Sequence, residues 1–242
     1  MRSFKDVRHA FRRRWHERLG SAKYSKPGLD GLDDKLAKYL DFDGGFFIEV
    51  GANDGFTQSN TYYLEKVKGW RGILIEAVPE LFARCRRERP ASRVYNCALV
   101  AQTYSEAAIE INYANLMSLV VGACSTRQAE DQHVQEGLRV QELPSSYRVR
   151  VPARTLDSIL SELQPQTSID FFSLDVEGYE VAVLQGLSLE RYRPRFVLVE
   201  THALADVNAV LAGHYDVVDQ LTCHDYLYRR KADREHTVAK CG

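Results

Sequence analysis

The chain has 242 residues, of which 45% are hydrophobic and 27% are charged, so it can bury a core of ordinary size. Its formal net charge of −1 lacks the overall basic excess that is typical of nucleic-acid enzymes. The five cysteines are far apart and never form a Cys-x-x-Cys pair, which argues against a disulfide framework or a cysteine zinc site. No segment has the roughly 20 apolar residues of a membrane span, and the first residues lack a signal-peptide core. These features predict a cytoplasmic protein.

The first twenty residues predict a basic amphipathic helix. Its apolar residues are spaced by three and four and therefore share one face: Phe4, Val7, Phe11, Trp15 and Leu19. Its basic residues are Arg2, Lys5, Arg8, Arg12, Arg13, Arg14 and Arg18. Such a helix packs its apolar stripe on the domain or a partner subunit, or lies on the inner surface of an anionic membrane. Residues 1–31 are interpreted as this tail and its linker, and residues 32–242 as the main domain.

Beyond the linker, apolar runs alternate with helical patterns. The predicted strands are 46–50, 72–78, 93–100, 169–174, 195–200, 215–219 and 226–229, and the predicted helices are 59–68, 79–89, 179–187 and 203–211. Strands that alternate with helices predict an α/β fold with helices on both faces of a mostly parallel sheet. The last two strands have no room for a helix between them, so they predict an antiparallel hairpin that completes seven strands.

One connection is much longer than an ordinary loop. Residues 101–150 carry their own alternating segments, at 108–113 and near 147–151. We interpret 101–150 as an insertion over the active face that contacts substrate, because insertions at the strand ends of α/β folds often do so. A mobile surface excursion is the alternative.

The first predicted strand runs directly into a glycine-rich turn, Gly51-Ala52-Asn53-Asp54-Gly55. The turn lacks the second glycine of a dinucleotide fingerprint, because Asn53 stands in its place. Glu49 and Asp54 would repel a pyrophosphate, but they suit a ligand that carries an ammonium group. Glu76 follows Asp54 by 22 positions, which places its carboxylate to accept hydrogen bonds from ribose hydroxyls. An ion pair with an arginine is the alternative for Glu76.

Four segments in order resemble the FkbM-type methyltransferases, which are Rossmann-like class I S-adenosylmethionine-dependent enzymes. They are FIEVGANDG, QSNTYYLEK, GWRGILIEAVPELF and IDFFSLDVEGYEVAVLQGL, and the resemblance spans about residues 45–230. It implies that the first turn holds the methionine end of S-adenosylmethionine, that Glu76 and its neighbour Ala77 hold the ribose, and that the third strand lines the adenine. The implied cofactor residues are Glu49, Gly51, Asn53, Asp54, Gly55, Ser59, Asn60, Glu76, Ala77, Asn96, Cys97 and Ala98.

The candidate catalytic residues follow the fourth and fifth strands. Asp175, Glu177 and His202 could converge at one crevice, since the carboxyl ends of parallel strands share an edge. A carboxylate or histidine there can take the proton of an acceptor hydroxyl. Structural alternatives are a helix-start anion for Glu177 and a helix cap for His202. Two carboxylates do not complete a metal site, so a divalent metal is an alternative that we do not favour.

The resemblance implies O-methylation of a sugar, a glycan or a secondary metabolite. The N/D-P-P-Y/F turn of base amine methyltransferases and the Pro-Cys pair of cytosine C5 enzymes are both missing from the sequence, so we expect no nucleic-acid substrate. Two alternatives remain. One is a nicotinamide-dependent oxidoreductase, against which Glu49 and Asp54 argue. The other is a non-catalytic, membrane-peripheral or interaction protein with a degenerate methyltransferase fold, which the basic tail motivates.

Overall fold

The computed structural model describes residues 4–124, 126–163 and 168–232. Its strands are β1 (Phe46–Val50), β2 (Arg71–Ile75), β3 (Arg93–Tyr95), β4 (Ala98–Leu99), β5 (Ala108–Tyr113), β6 (Leu119–Val120), β7 (Tyr147–Arg154), β8 (Phe171–Leu174), β9 (Phe196–Glu200), β10 (Tyr215–Gln220) and β11 (Asp225–Arg230). Its α-helices are α1 (Phe4–Arg18), α2 (Leu32–Leu36), α3 (Tyr62–Lys66), α4 (Pro79–Glu88), α5 (Arg127–Val140), α6 (Leu156–Leu160), α7 (Glu180–Gln185) and α8 (Leu204–Leu211).

Seven strands form the central sheet in the order β10-β11-β9-β8-β1-β2-β3. Strands β2, β1, β8 and β9 pair in parallel, whereas β11 runs antiparallel to both β9 and β10. The predicted Rossmann-like α/β fold with a mostly parallel sheet and a C-terminal hairpin is therefore confirmed. The order in which the chain adds strands reverses at β1, because β2 and β3 lie on one side of it and β8 and β9 on the other. At such a point, open sheets form a crevice at the carboxyl ends of their strands.

The sheet is covered on both faces because its strands alternate their apolar side chains. Ile48 and Phe172 face a cluster that includes residues of α6, α7 and α8. Phe47 and Phe171 face the opposite cluster, which includes residues of α2, α3 and α4. Two apolar layers thus hold the sheet between them. The candidate site lies at the carboxyl ends of the strands.

The prediction of one strand over 93–100 is wrong. Only β3 joins the central sheet, whereas β4 pairs with β7 in a separate four-stranded sheet of order β4-β7-β5-β6. Between them, the Asn96 side-chain amide donates to the backbone oxygens of Glu76 and Ala77, at 2.9 and 2.8 Å. These side-chain bonds take the place of a strand ladder at the point where the chain leaves the central sheet.

The long connection contains most of the second sheet. Strands β5 and β7 pair antiparallel, from Ala108 opposite Pro152 to Tyr113 opposite Tyr147. Ile109, Ile111 and Val151 are buried against Val78 and Leu81 of the main domain. The alternating apolar residues in the sequence thus become the inner face of a small sheet, and α5 follows β6.

The predicted tail helix is present as α1, but its orientation differs from the packed interpretation. Phe11, Trp15 and Leu19 are exposed, at 70%, 57% and 68%. Arg13 is buried instead, at 2%. Arg2 and the side chains of Phe4, Lys5 and Val7 lie outside the described residues. No helix in the described part of the chain is long and apolar enough to cross a bilayer.

Candidate active site

A cavity of about 820 Å³, including the space at its open mouth, lies at the carboxyl ends of β1, β2 and β8. The predicted site residues that line it are Gly51, Asn53, Ser59, Glu76, Ala77, Cys97, Ala98, Asp175 and Glu177. The predicted residues outside its lining are Glu49, Asp54, Gly55, Asn60, Asn96 and His202. The cavity therefore brings the proposed cofactor turn and the proposed acceptor carboxylates into one space.

Gly51 is required by the contact between two strand ends. Its φ is +84°, and a Cβ built on it would lie 1.9 Å from the backbone oxygen of Asp175. Its backbone N–H and that of Ala52 both donate to the oxygen of Ile75, at 3.1 Å. A side chain at this position would separate β1 from β8, and the absence of one lets the cavity wall form from bare backbone.

Glu76 is buried at 6% exposure and faces the cavity. Its Oε2 accepts from the backbone N–H of Asn53 at 2.8 Å, and its Oε1 accepts from that of Val78 at 2.7 Å. Burial raises its pKa to about 7, although these backbone bonds act in the opposite direction. The carboxylate is hydrogen-bonded by the backbone N–H groups of Asn53 and Val78, whereas the alternative interpretation expected an arginine. A carboxylate offers about four acceptor positions, so each oxygen keeps capacity for a ligand hydroxyl.

Glu49 is engaged away from the cavity, in a buried network. Its Oε1 accepts from the Asn60 backbone N–H, and its Oε2 accepts from the hydroxyls of Ser59 and Thr61, at 2.6–2.9 Å. Arg89, fully buried, approaches the same Oε2 at 3.4 Å. Glu49 thus holds residues 59–61 through one backbone N–H and two hydroxyls, and α3 begins after them, at Tyr62 rather than at Ser59 as predicted.

The remaining predicted cofactor residues support the turn from behind. Asp54 accepts from the backbone N–H groups of Phe56 and Thr57, which tightens the turn. Gly55 packs on Arg89, since a Cβ there would lie 2.9 Å from its Cγ. Asn60 donates to Ser173 of β8 at 3.1 Å, and Asn96 holds the end of β2, as described above. These residues therefore support the turn through hydrogen bonds and packing, while their neighbours line the cavity.

Five carboxyl groups crowd the other end of the site: Asp175, Glu177, Glu180, Glu200 and Asp225. Burial first, and then the charges of Glu200 and Glu177, raise the pKa of Asp175 well above its ordinary range. Asp175 shares a hydrogen bond with Glu200, whose pKa is also raised, mainly by burial. Like charges this close cannot all ionise, so part of the group keeps its protons at neutral pH.

Glu177 is the carboxylate best placed to exchange a proton with a ligand. It lines the cavity, and burial together with Glu200 and Glu180 raises its pKa to about 8. Its Oε2 lies 3.4 Å from Nε2 of His133, which α5 contributes from the insertion. A group that titrates near neutral pH suits general base catalysis. Sequence reasoning missed His133, because nothing in the local pattern of α5 indicates which strand end it faces.

His202 does not reach this site. It is exposed, and its ring lies 5.7 Å from that of His224. His224 Nε2 lies 3.4 Å from Glu200 and 3.7 Å from Asp225, and His224 does not line the cavity. His202 therefore lies outside the cavity lining that contains Asp175 and Glu177, because its side chain, two residues beyond the end of β9, is exposed.

Glu200, His224 and Asp225 are the one set among the described residues that could supply three metal ligands, within 4.8 Å of one another. Asp225 Oδ2 is already bonded to the Thr222 hydroxyl. The imidazole ring of His224 contacts both carboxyl groups, and none of the three residues lines the cavity. The set carries no step in the chemistry proposed below.

The insertion supplies a wall of the cavity through residues that the sequence analysis did not name individually. Its contributors are Ile111, Asn115, Leu116, Ser118 and Val120. The Asn53 side-chain amide lies 3.4 Å from the Asn115 oxygen, which links this wall to the cofactor turn. A second cleft shares Thr57 and Asn115 with the cavity and is also lined by Asp54, Arg84 and residues of α1.

Residues 49–229 match the model of a protein family that is described as the methyltransferase FkbM domain. No curated protein sequence is significantly similar to this chain.

Several solved structures are similar to the chain at low identity. A TehB-like SAM-dependent methyltransferase from Corynebacterium glutamicum is 9% identical, covers 93% of this chain and 97% of its own, and has a TM-score of 0.41. A precorrin-6y C5,15-methyltransferase from Geobacter metallireducens is 10% identical. The match covers 84% of this chain and 88% of that protein, with a TM-score of 0.44. An RNA methyltransferase from Salinibacter ruber, in complex with S-adenosyl-L-homocysteine, is 12% identical. The match covers 84% of this chain and 92% of that protein, with a TM-score of 0.38.

Proposed function

The chain belongs to the FkbM methyltransferase family and is an S-adenosylmethionine-dependent methyltransferase, and on that premise we propose that it methylates a hydroxyl group of a sugar, a glycan or a secondary metabolite. The observation that carries the proposal is the single cavity that joins the Gly51 turn and Glu76 to the carboxyl groups of Asp175 and Glu177. One end has acceptors for ribose hydroxyls, and the other has a base for an acceptor hydroxyl.

The residues present fit the cofactor. Gly51 presents bare backbone to the cavity, and Glu76 keeps unused acceptor positions inside a buried pocket. Cys97, Ala98 and Ile75 give one part of the wall an apolar surface suited to a purine. When bound, the cofactor would supply an electrophilic methyl group on a sulfonium, and those carboxyl groups of the cluster that are ionised would favour such a cation.

Glu177 takes the proton of the acceptor hydroxyl in this account. It must be ionised to do so, and its pKa of about 8 in the free protein means that a substantial fraction carries a proton at neutral pH. Asp175 and Glu200, joined by a hydrogen bond, position the loop that carries Glu177. Much of the remaining acceleration comes from holding the acceptor oxygen close and aligned.

Membership of a methyltransferase family rules out the alternative that the chain is a nicotinamide-dependent oxidoreductase. The non-catalytic alternative predicts no transfer to any acceptor, so the activity assay below distinguishes it from our proposal.

The proposal is tested with S-adenosylmethionine labelled in its methyl group and panels of sugars, glycans and polyketide alcohols. We expect label in an O-methyl ether, identified by mass spectrometry and NMR of the product. Transfer to nitrogen, or none to any hydroxyl compound, would contradict the proposal.

Glu177→Gln separates chemistry from binding. We expect it to keep cofactor affinity and to lose about 10²- to 10⁴-fold in kcat, the usual contribution of a general base. The wild-type kcat/KM should rise with pH through about 8, because ionisation activates the base, and the variant should lose this rise. Glu190→Gln, an exposed site with 85% side-chain exposure, is the matched control and should behave as wild type. An unchanged pH profile in Glu177→Gln would remove Glu177 from the mechanism.

A further inference from the structure

The outward face of α1 carries a continuous apolar stripe. Phe11 and Trp15 of α1 and Leu19, which directly follows the helix, are spaced by four residues, so they lie on one side, and each is more than half exposed. The other large hydrophobic residues found exposed in the described chain are scattered: Leu29, Val67, Val140, Tyr147 and Val217. A contiguous exposed apolar stripe is typical of surfaces that bind another protein or a membrane.

The orientation of α1 is fixed by its polar side. The Arg13 guanidinium is buried, pairs with Glu88 and lies 3.5 Å from the centre of the Phe56 ring. On the same side, Glu17 accepts from the Tyr62 hydroxyl at 2.9 Å. Rotating the stripe onto the domain would carry Arg13 away from Glu88 and leave that buried glutamate without this partner, which is strongly unfavourable. The helix is therefore held with its apolar face outward.

Positive charge surrounds the stripe. Arg8, Arg12, Arg14 and Arg18 are all exposed on α1, and Arg14 keeps 55% side-chain exposure although it contacts Glu88. We propose that this face of α1, defined by Phe11, Trp15, Leu19 and the four arginines, binds the surface of an anionic lipid bilayer. Arginines attract the headgroups, while the apolar stripe enters the boundary of the acyl chains. Trp15 suits that boundary because indole rings concentrate there.

Trp15 gives a direct readout in the full-length protein. The chain has two tryptophans, and Trp70 is 1% exposed, so a change in emission on binding reports on Trp15. We expect a blue shift with vesicles of phosphatidylcholine containing about 30% phosphatidylglycerol, and a much smaller one with phosphatidylcholine alone. Added salt should weaken the binding, because it screens the arginines. No shift with the anionic vesicles would overturn the proposal.

Vesicle sedimentation with matched variants locates the binding face. Phe11→Ala/Trp15→Ala/Leu19→Ala should lower vesicle affinity at least tenfold, whereas Leu29→Ala/Val140→Ala/Val217→Ala should bind as wild type. Arg8→Gln/Arg18→Gln should bind roughly 30-fold more weakly, whereas Arg87→Gln/Arg150→Gln, at exposed sites outside α1, should not. All these variants keep Arg13 and Glu88, so their melting temperatures should match that of the wild type.

Equal vesicle binding by the two triple variants would overturn the proposal. So would self-association that depends on the stripe, measured by analytical ultracentrifugation, in a protein that ignores anionic vesicles. That result would assign the face to a second copy of the chain.

Discussion

At the scale of single residues, Gly51 joins backbone geometry to the chemistry of the site. Its positive φ and the 1.9 Å approach of a built Cβ to the Asp175 oxygen leave no space for a side chain. The same contact sets the position of Asp175 at the end of β8. A substitution at Gly51 therefore acts on the cofactor turn and on the acceptor carboxylates together.

Gly51→Ala should lower the free energy of unfolding by about 2–4 kcal/mol, through a strained φ and a backbone clash. Gly122→Ala is the control, because Gly122 has a φ of +85° with nothing within 4 Å of its built Cβ. That variant should lose only about 1–2 kcal/mol. Urea unfolding measures both. Equal losses of unfolding free energy in the two variants would mean that the approach of Gly51 to Asp175 adds no penalty for a side chain at residue 51.

Sequence reasoning placed both Glu49 and Glu76 beside the cofactor, but only Glu76 lines the cavity. Glu76 faces the cavity, whereas Glu49 is engaged by Ser59, Thr61 and Arg89. Arg89 is 40 positions from Glu49 along the chain, so no local spacing reveals the pair. Residue type and position at a strand end predicted the site, while long-range partners decided each role.

At the scale of elements, Arg89 connects the end of α4 to β1 and α3. Its guanidinium donates to Glu65 at 2.9 Å, to the Thr61 hydroxyl at 2.9 Å and to the Ser59 hydroxyl at 3.1 Å. This one side chain thus holds the segment that follows the cofactor turn.

Arg89→Met should cost about 3–5 kcal/mol of unfolding free energy, because it leaves Glu49 and Glu65 buried without their cation. Arg87→Met, at an exposed position on the same helix, should change stability by less than about 0.5 kcal/mol. Chemical denaturation of the two variants makes the comparison. A small effect at Arg89 would show that water or rearrangement compensates the two acids.

The elements also show where pattern reasoning ends. Periodicity predicted β1, β2, β8, β9 and the hairpin, because their apolar residues alternate between two buried layers. It merged β3 with β4, since an apolar run does not reveal which sheet each half joins. It placed His202 in the site by its position after β9, but the turn that follows Glu200 exposes that side chain.

At the scale of the whole molecule, buried acids couple stability to pH. Burial raises the pKa of Glu76 to about 7 and that of Glu177 to about 8. In the unfolded chain these groups release their protons near pH 4.5, so between that pH and their folded pKa the folded state binds more protons. Stability should therefore fall as pH rises across this window.

We expect the melting temperature of the cofactor-free protein to fall by several degrees from about pH 5 to about pH 8. Glu177→Gln should flatten part of that decline, whereas Glu190→Gln should not. Scanning calorimetry at constant ionic strength provides the measurement. A melting temperature that rises over this range would mean that the carboxyl groups are ionised and paired in the folded state.

The most direct test of the account is calorimetric titration of S-adenosylmethionine into the wild type, Glu76→Gln and the exposed control Glu80→Gln. Glu76→Gln should bind roughly 100-fold more weakly, because it loses charged hydrogen bonds to the ribose and disturbs the Asn53 and Val78 contacts. Glu80→Gln should match the wild type, and NAD should bind none of the three. Unchanged affinity in Glu76→Gln would contradict the assignment of this cavity to the cofactor.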